Sequence, residues 1–172
     1  MSELKENTVY PFHVFRFQID FKERFINTTD EGGKVVLCSG AFAECSGLEA
    51  TTEAKVIKEG GRNWGVNQRA GKTSFATLIL KRGMTNNRDL WSWYEFVGTG
   101  KYSHRLNAIV TMFDTSGKVI LGWKLTNCMP VKFKAADLNA KGTDVGIEEL
   151  HLVHEGLSMA SKDELVKQLT NM

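Results

Sequence analysis

The stretch Gly65–Gly83, GVNQRAGKTSFATLILKRG, decides the fold class. Its Gly71-Lys72-Thr73 ends as a phosphate-binding loop does. Such a loop has the spacing G-x-x-x-x-G-K-[ST], follows a buried strand, and opens a helix whose N-terminal amides face the phosphate. Here five residues separate Gly65 from Gly71. The residues that follow are β-branched and apolar, carry no helical stripe, and stop at Gly83. Thr73–Lys81 therefore reads as a strand, and nucleotide binding is set aside. Glu59–Gly71 reads as a long, glycine-bearing, basic loop in front of it.

Strand patterns continue on both sides. Residues 1–11 read as a flexible polar arm. In Phe15–Phe21 apolar and polar residues alternate strictly, as in a half-buried strand. Asp30–Gly33 reads as a turn and Val35–Cys38 as a short strand. Ala41–Ser46 and Ala50–Lys58 read as two more strands, broken at Ser46-Gly47. Arg105–Phe113 and Lys118–Thr126 flank Asp114–Gly117, a hairpin signal. Pro130 opens a mixed segment with a short helical turn at Lys134–Asn139, and Val145–His154 is the last strand.

One internal helix stands out in NNRDLWSWYEFV, residues 86–97. Leu90, Trp93, Tyr94 and Val97 fall on one apolar face, with Trp91 at its edge. Thr85, Asn86 or Asn87 caps its start and Gly98 ends it. Near the C-terminus, Ser161 and Glu164 form a capping box ahead of Leu165 and Leu169, a second short helix. Strands outnumber helices and do not alternate with them, which excludes a doubly wound parallel sheet. The pattern is mainly β, an antiparallel sandwich or barrel with one flanking helix.

The 172 residues suit one domain with its own core. An apolar fraction of 42% with 24% charged residues is globular rather than disordered. A net charge of +2 is too balanced to imply a nucleic acid or an anionic membrane as partner. No apolar run approaches a membrane helix, and the polar start lacks a secretory h-region, so a cytosolic origin is expected. Cys38, Cys45 and Cys128 form no CxxC, which fits free thiols.

Candidate chemistry is sparse. His151 and His154 are spaced to share a metal on a helix, but on a strand they point to opposite faces. Glu148 and Glu149 are divided in the same way. His13 and His104 stand alone, and no G-x-S-x-G is present. Neither catalysis nor a cofactor nor a metal is expected. Two basic groups, Lys81-Arg82 and Arg62 to Arg69, suit carboxylates of a neighbouring subunit better than phosphates at this net charge. Trp64 and Trp91 leave open a carbohydrate- or small-ligand-binding sandwich. A hydrolase assembled from distant residues is a further alternative.

Four stretches, in order, resemble a known family. They are AFAECSGLEATTEAKVIKEGG (41–61), AGKTSFATLILKRGMTNNRDLWSWY (70–94), GWKLTNCMPVKFKAADLNA (122–140) and VGIEELHLVHEGL (145–157). Together they resemble the tail tube proteins of contractile phage tails and of related extracellular contractile injection systems. The order and spacing of these motifs cover residues 12–157. Two departures are visible: Cys128-Met129 stands where the family has Ala-Trp, and Lys22–Gly40 is longer than in the shortest members.

The resemblance implies two antiparallel sheets in a small barrel-like sandwich with a helix at its side. It implies a tail tube domain over 12–157, with an arm at 1–11 and a tail at 158–172. It also implies an assembly: a homo-hexameric ring, stacked rings forming a hollow inner tube, and a contractile sheath around it. Baseplate or tube-initiator and cap proteins are the further implied partners, and the lumen is a place for cargo. Assembly would occur in the cytoplasm, into a phage tail-like particle that is released or anchored to a membrane as a whole. The segment between SGL and LKRG would project toward the next ring. Glu59, Gly60, Gly61, Arg62, Arg69 and Lys72 are then the candidate inter-ring residues, with glycines for tight turns and cations for carboxylates. The tube of a type VI secretion apparatus, which shares the fold, is the related alternative.

Overall fold

The computed structural model describes residues 12–24, 31–35, 42–61, 64–100 and 105–170. The N-terminal arm, the start of the Asp30 turn, Cys38 and Arg62 lie outside the described residues. In chain order the elements are β1 (Phe17–Arg24), β2 (Glu31–Val35), β3 (Glu44–Ser46), β4 (Ala50–Ile57), β5 (Asn67–Phe75) and β6 (Leu78–Gly83). Then follow α1 (Asp89–Gly98), β7 (Arg105–Phe113), β8 (Val119–Lys134), β9 (Ile147–Val153), β10 (Gly156–Met159) and α2 (Lys162–Thr170). All strand pairings are antiparallel.

Two sheets share β8, a strand of 16 residues. Its first part pairs with β7 on one side and β10 on the other. Its second part, from Met129, pairs with β9, which leads on to β6 and β3. The change of sheet occurs at a bulge, where Thr126 and Asn127 stand opposite Asn107 alone. Asn127 adopts φ 55, and its N–H donates to Asn107 Oδ1 at 3.1 Å in place of the ladder bond. Asparagine tolerates this left-handed backbone better than most residues.

Pro130 corrects one sequence expectation. It does not open a mixed segment but continues β8, beside a second irregularity between Pro130 and Lys132. A proline has no N–H for the ladder and is accommodated at such breaks. Residues 135–139 are not helical. Three further differences concern boundaries. Gly32 and Gly33 belong to β2 rather than to a turn. The Thr73–Lys81 strand is two strands, β5 and β6, parted at Ala76-Thr77. After Val153 the chain adds β10, so the strand expected at Val145–His154 is not the last.

The core lies between the sheets and α1. Inward rows come from alternation: Leu78 and Leu80 on β6, Leu150 and Leu152 on β9, Leu106, Ala108 and Val110 on β7. α1 adds Leu90, Trp93 and Val97, and Trp93 meets Phe21 edge-on at a ring separation of 5.7 Å. Tyr94 is half-buried, against Trp91 at 5.8 Å. Asn87 Oδ1 accepts the Asp89 N–H at 3.0 Å, one residue ahead of the N-cap position, which is Arg88 and makes no side-chain cap bond, so none of the expected caps fills that place. Gly98 is the last helical residue, and the left-handed glycine that follows is Gly100, φ 101.

β7 is buried on both faces from Leu106 to Met112. α2 packs on β8, and Leu165 fills the space over Gly122, where an added Cβ would lie 2.7 Å from it. The capping box is formed: Glu164 N–H donates to Ser161 Oγ at 3.3 Å and Ser161 N–H to Glu164 Oε2 at 3.1 Å. Among the described residues no helix is long and apolar enough to cross a membrane.

Candidate functional site: the projecting hairpin

Among the described residues β4 and β5 pair only with each other and join neither main sheet. Every residue of β4 is exposed, and β5 is exposed along most of its length. At about 3.3 Å per residue, strands of this length form an arm of roughly 25 Å. The loop expected at Glu59–Gly71 is thus shorter, and its second half is strand. Its polar composition, NQRAGKTSF, hides this because neither face is buried.

The Gly-Lys-Thr of the sequence lies inside β5. Thr52 pairs with Thr73 and Ala54 with Ala70, so Gly71 and Lys72 together oppose Glu53. This is a bulge. A Cβ on Gly71 would come within 2.7 Å of the Glu53 carbonyl oxygen, which explains the glycine without any phosphate.

The root of the arm is fixed by Gly47 of the SGL turn. Gly47 has φ +92, and a Cβ there would lie 2.1 Å from the Thr77 carbonyl oxygen. The Glu49 N–H donates to Gly47 O at 2.9 Å and the Ala76 N–H to Glu49 O at 3.1 Å, so both strands leave the body together. Phe75 rests on the His154 ring at 5.3 Å. His154 itself is buried and bonded through Nδ1 to Gly156 O at 3.0 Å.

The register sorts the arm into two faces. Ala50, Thr52, Ala54 and Val56 share one face with Phe75, Thr73, Ala70 and Gln68. None of these eight residues is charged, and the Thr52 and Thr73 hydroxyls meet at 2.8 Å. Thr51, Glu53, Lys55 and Ile57 share the other with Ser74, Arg69 and Asn67. There Lys55 and Arg69 stand directly opposite. At the outer end Asn67 Nδ2 donates to Glu59 Oε1 at 2.6 Å. Gly61 and Gly65 take φ 85 and 87 in the connecting turn, and Trp64 is 93% exposed.

Of the candidate residues, Glu59, Gly60 and Gly61 fall at this outer end, Arg69 on β5 and Lys72 at its bulge; Arg62 lies outside the described residues. Lys55 escaped the sequence reading, because its pairing with Arg69 depends on the hairpin register. Lys81 and Arg82 require a correction. Both have carboxylate partners within the chain. Lys81 Nζ bonds Glu44 Oε2 at 3.0 Å on the adjacent strand. Arg82 is buried and donates through Nε to Glu148 Oε1, its register partner on β9, and through Nη2 to Asn87 O at 3.3 Å. The pair therefore anchors the segment that starts α1.

Other chemistry is dispersed. Glu148 is buried while Glu149 meets His151 on the opposite face of β9, 3.5 Å away. Among the described residues no three His, Cys, Asp or Glu side chains gather as metal ligands. Burial pushes the Cys128 thiol up to about 12, and burial with the Glu44 charge pushes Cys45 to about 11. Both are protonated near neutral pH, which removes the thiolate that a nucleophile requires. Trp64 and Trp91 sit on different elements, the arm and α1. Trp91 meets Phe133 edge-on at 5.4 Å, beside a cleft of about 420 Å³ lined also by Met84, Asn86, Arg88 and Glu148.

Comparison with known proteins agrees with the geometry. The family model described as T4-like virus tail tube protein gp19 matches residues 13–158. No curated protein matches the chain. A chain of the anti-feeding prophage (AFP) baseplate, reconstructed with six-fold symmetry, has a TM-score of 0.73 at 25% identity, covering 90% of this chain and 98% of its own. A chain of the PVC sheath/tube terminator, from an extracellular contractile injection system in its extended state, has a TM-score of 0.72 at 16% identity, covering 90% and 99%. Hcp1 from Flavobacterium johnsoniae shares the fold more distantly, at a TM-score of 0.50 and 13% identity over 83% and 94%. The two sheets sharing one bent strand, the flanking helix and the SGL-rooted arm are thus features of a chain that belongs to the T4-like virus tail tube protein family.

Proposed function

We propose that this protein is the protomer of the inner tube of a contractile injection system. Six copies form a ring, rings stack into a hollow tube, and a contractile sheath surrounds it. The observation that carries the proposal is the arm. A two-stranded hairpin exposed on both faces is marginal in water by itself and gains its stability from what it contacts. Family membership and the six-fold AFP baseplate, at 25% identity, support further copies as that contact. The arm, carrying Glu59, Gly60, Gly61, Arg62, Arg69 and Lys72, would reach the next ring, and residues 12–157 would form the tube domain.

The role is structural, without catalysis, cofactor or metal. Sheath, baseplate or tube-initiator and cap proteins are the proposed partners, with assembly in the cytoplasm. Related folds occur in a PVC sheath–tube complex and in the AFP tube-terminating cap. The type VI alternative is weakened by the lower similarity to Hcp1.

The test is to express the protein, with the arm shortened between Ala54 and Ala70, together with sheath and baseplate partners, and to image the particles. Loss of full-length tubes with an intact soluble protomer is expected, because shortening a surface segment costs the fold little. Full-length tubes in normal yield would overturn the proposal.

A further inference from the structure

The two faces of the arm are chemically unlike, and the difference assigns which one is covered. We propose that the uncharged face is seated on a second copy of this chain, while the Lys55–Arg69 face stays in water. This rests on the tube reading and adds to it the orientation of the arm.

Three observations carry it. The uncharged face is built of small and apolar side chains, Ala50, Thr52, Ala54, Val56 and Ala70, with Gln68, Thr73 and Phe75. Such a face loses little hydration when covered. At its root it is already seated, since Phe75 on this face rests on buried His154 of the body. A covering copy extends a contact that the fold has begun. The opposite face sets two cations directly across from each other, Lys55 and Arg69. Like charges side by side are mildly unfavourable in water and far worse when desolvated. Besides Glu53, two carboxylates border the same face, Glu49 bonded to the Thr51 hydroxyl at 3.2 Å and Glu59 to Asn67 at 2.6 Å, but both lie toward the ends of the arm while Lys55 and Arg69 face each other between them. The pair is therefore compatible with solvent and poorly compatible with a dry interface.

The arrangement separates Lys55 and Arg69 from the contact. Arg69 was a candidate for pairing with carboxylates across the ring boundary; here it faces water and the small residues behind it carry the contact.

The experiment compares face-specific variants of the full chain co-expressed with sheath and baseplate partners. Ala54→Glu and, separately, Ala70→Glu place a charge on the uncharged face from either strand. Both sites are exposed in the protomer, so its thermal melt should be unchanged. Tube yield in negative-stain images should fall by about tenfold or more, because a charge buried without a partner is strongly unfavourable. The double variant Lys55→Ser with Arg69→Ser should keep yield within about twofold, as loss of exposed charges does. Normal yield in both glutamate variants, or collapse of yield in the serine double variant alone, would overturn the orientation. The shortened arm serves as the control for the underlying reading. Failure of the shortened arm to assemble, alongside normal glutamate variants, rejects only the orientation; normal assembly of the shortened arm rejects both.

Discussion

The hairpin β7–β8 and the hairpin β4–β5 use the same backbone pairing under opposite conditions. The first turns at Asp114–Gly117, where Asp114 Oδ1 accepts from Ser116 Oγ at 2.6 Å and from the Lys118 N–H at 2.8 Å. Gly117 supplies the left-handed φ of 85 that the turn needs. Its strands are lined by Leu106, Ala108, Val110 and Leu125, all buried. The second has a longer turn, a bulge and two exposed faces. The first hairpin is held by its own chain. The second is shaped by its chain, through Gly47 and Gly71, but held by little of it. Shape and stabilisation are thus supplied separately, as the proposed contact with other copies requires.

Substitutions should expose this contrast in the soluble protomer, measured by denaturant melts. Trp93→Ala, which empties the site behind Phe21 on the body side, should cost about 3–5 kcal/mol. Trp91→Ala should cost clearly less, since Trp91 is 45% exposed. A similar small loss in both would break the account of the helix face. Leu125→Ala, in the buried hairpin, should cost about 2–5 kcal/mol.

Turn chemistry comes next. The Asp114 carboxyl is held below its ordinary 3.8 by the Ser116 hydroxyl first and then by the Lys118 amide. A depressed carboxylate stabilises the fold above its ordinary pKa, and that contribution fades as pH falls through the folded value. Asp114→Ala should therefore lower the melting temperature slightly at pH 7, and the difference should shrink as pH is lowered below about 3.8. A difference independent of pH would contradict the hydrogen-bond account. Smallest of all, Val56→Ala in the projecting hairpin should stay within about 0.5 kcal/mol of the parent, as at other exposed sites. A loss comparable to that of Leu125→Ala would mean the arm is stabilised from within.

What the sequence makes legible follows the same division. The strand around Phe21, the stripe Leu90–Trp93–Val97 and the Asp114–Gly117 turn have signatures because each is half-buried or turn-specific. β5 has none: alternation arises from burying one face, and Asn67–Phe75 buries neither within the protomer. Motif order, rather than periodicity, placed the arm. The Arg82–Glu148 pair was invisible for another reason. Adjacent charges on Lys81-Arg82 suggest a solvated surface, and only the register that sets Arg82 beside Glu148 shows the pair to be internal. β8 running through Pro130 was hidden because the bulge that accommodates proline is a property of two strands, not one.

The most direct measurement is amide hydrogen exchange, compared between soluble protomer and assembled particle. Exchange reports local opening, and elements without buried contacts open at little free-energy cost. The account predicts that Ala50–Ile57 and Asn67–Phe75 exchange rapidly in the protomer and become protected on assembly. β7 and the first part of β8 should be slow in both states. An arm as protected in the isolated protomer as β7–β8, or one still exchanging rapidly within the assembled tube, would contradict the claim that other copies hold it.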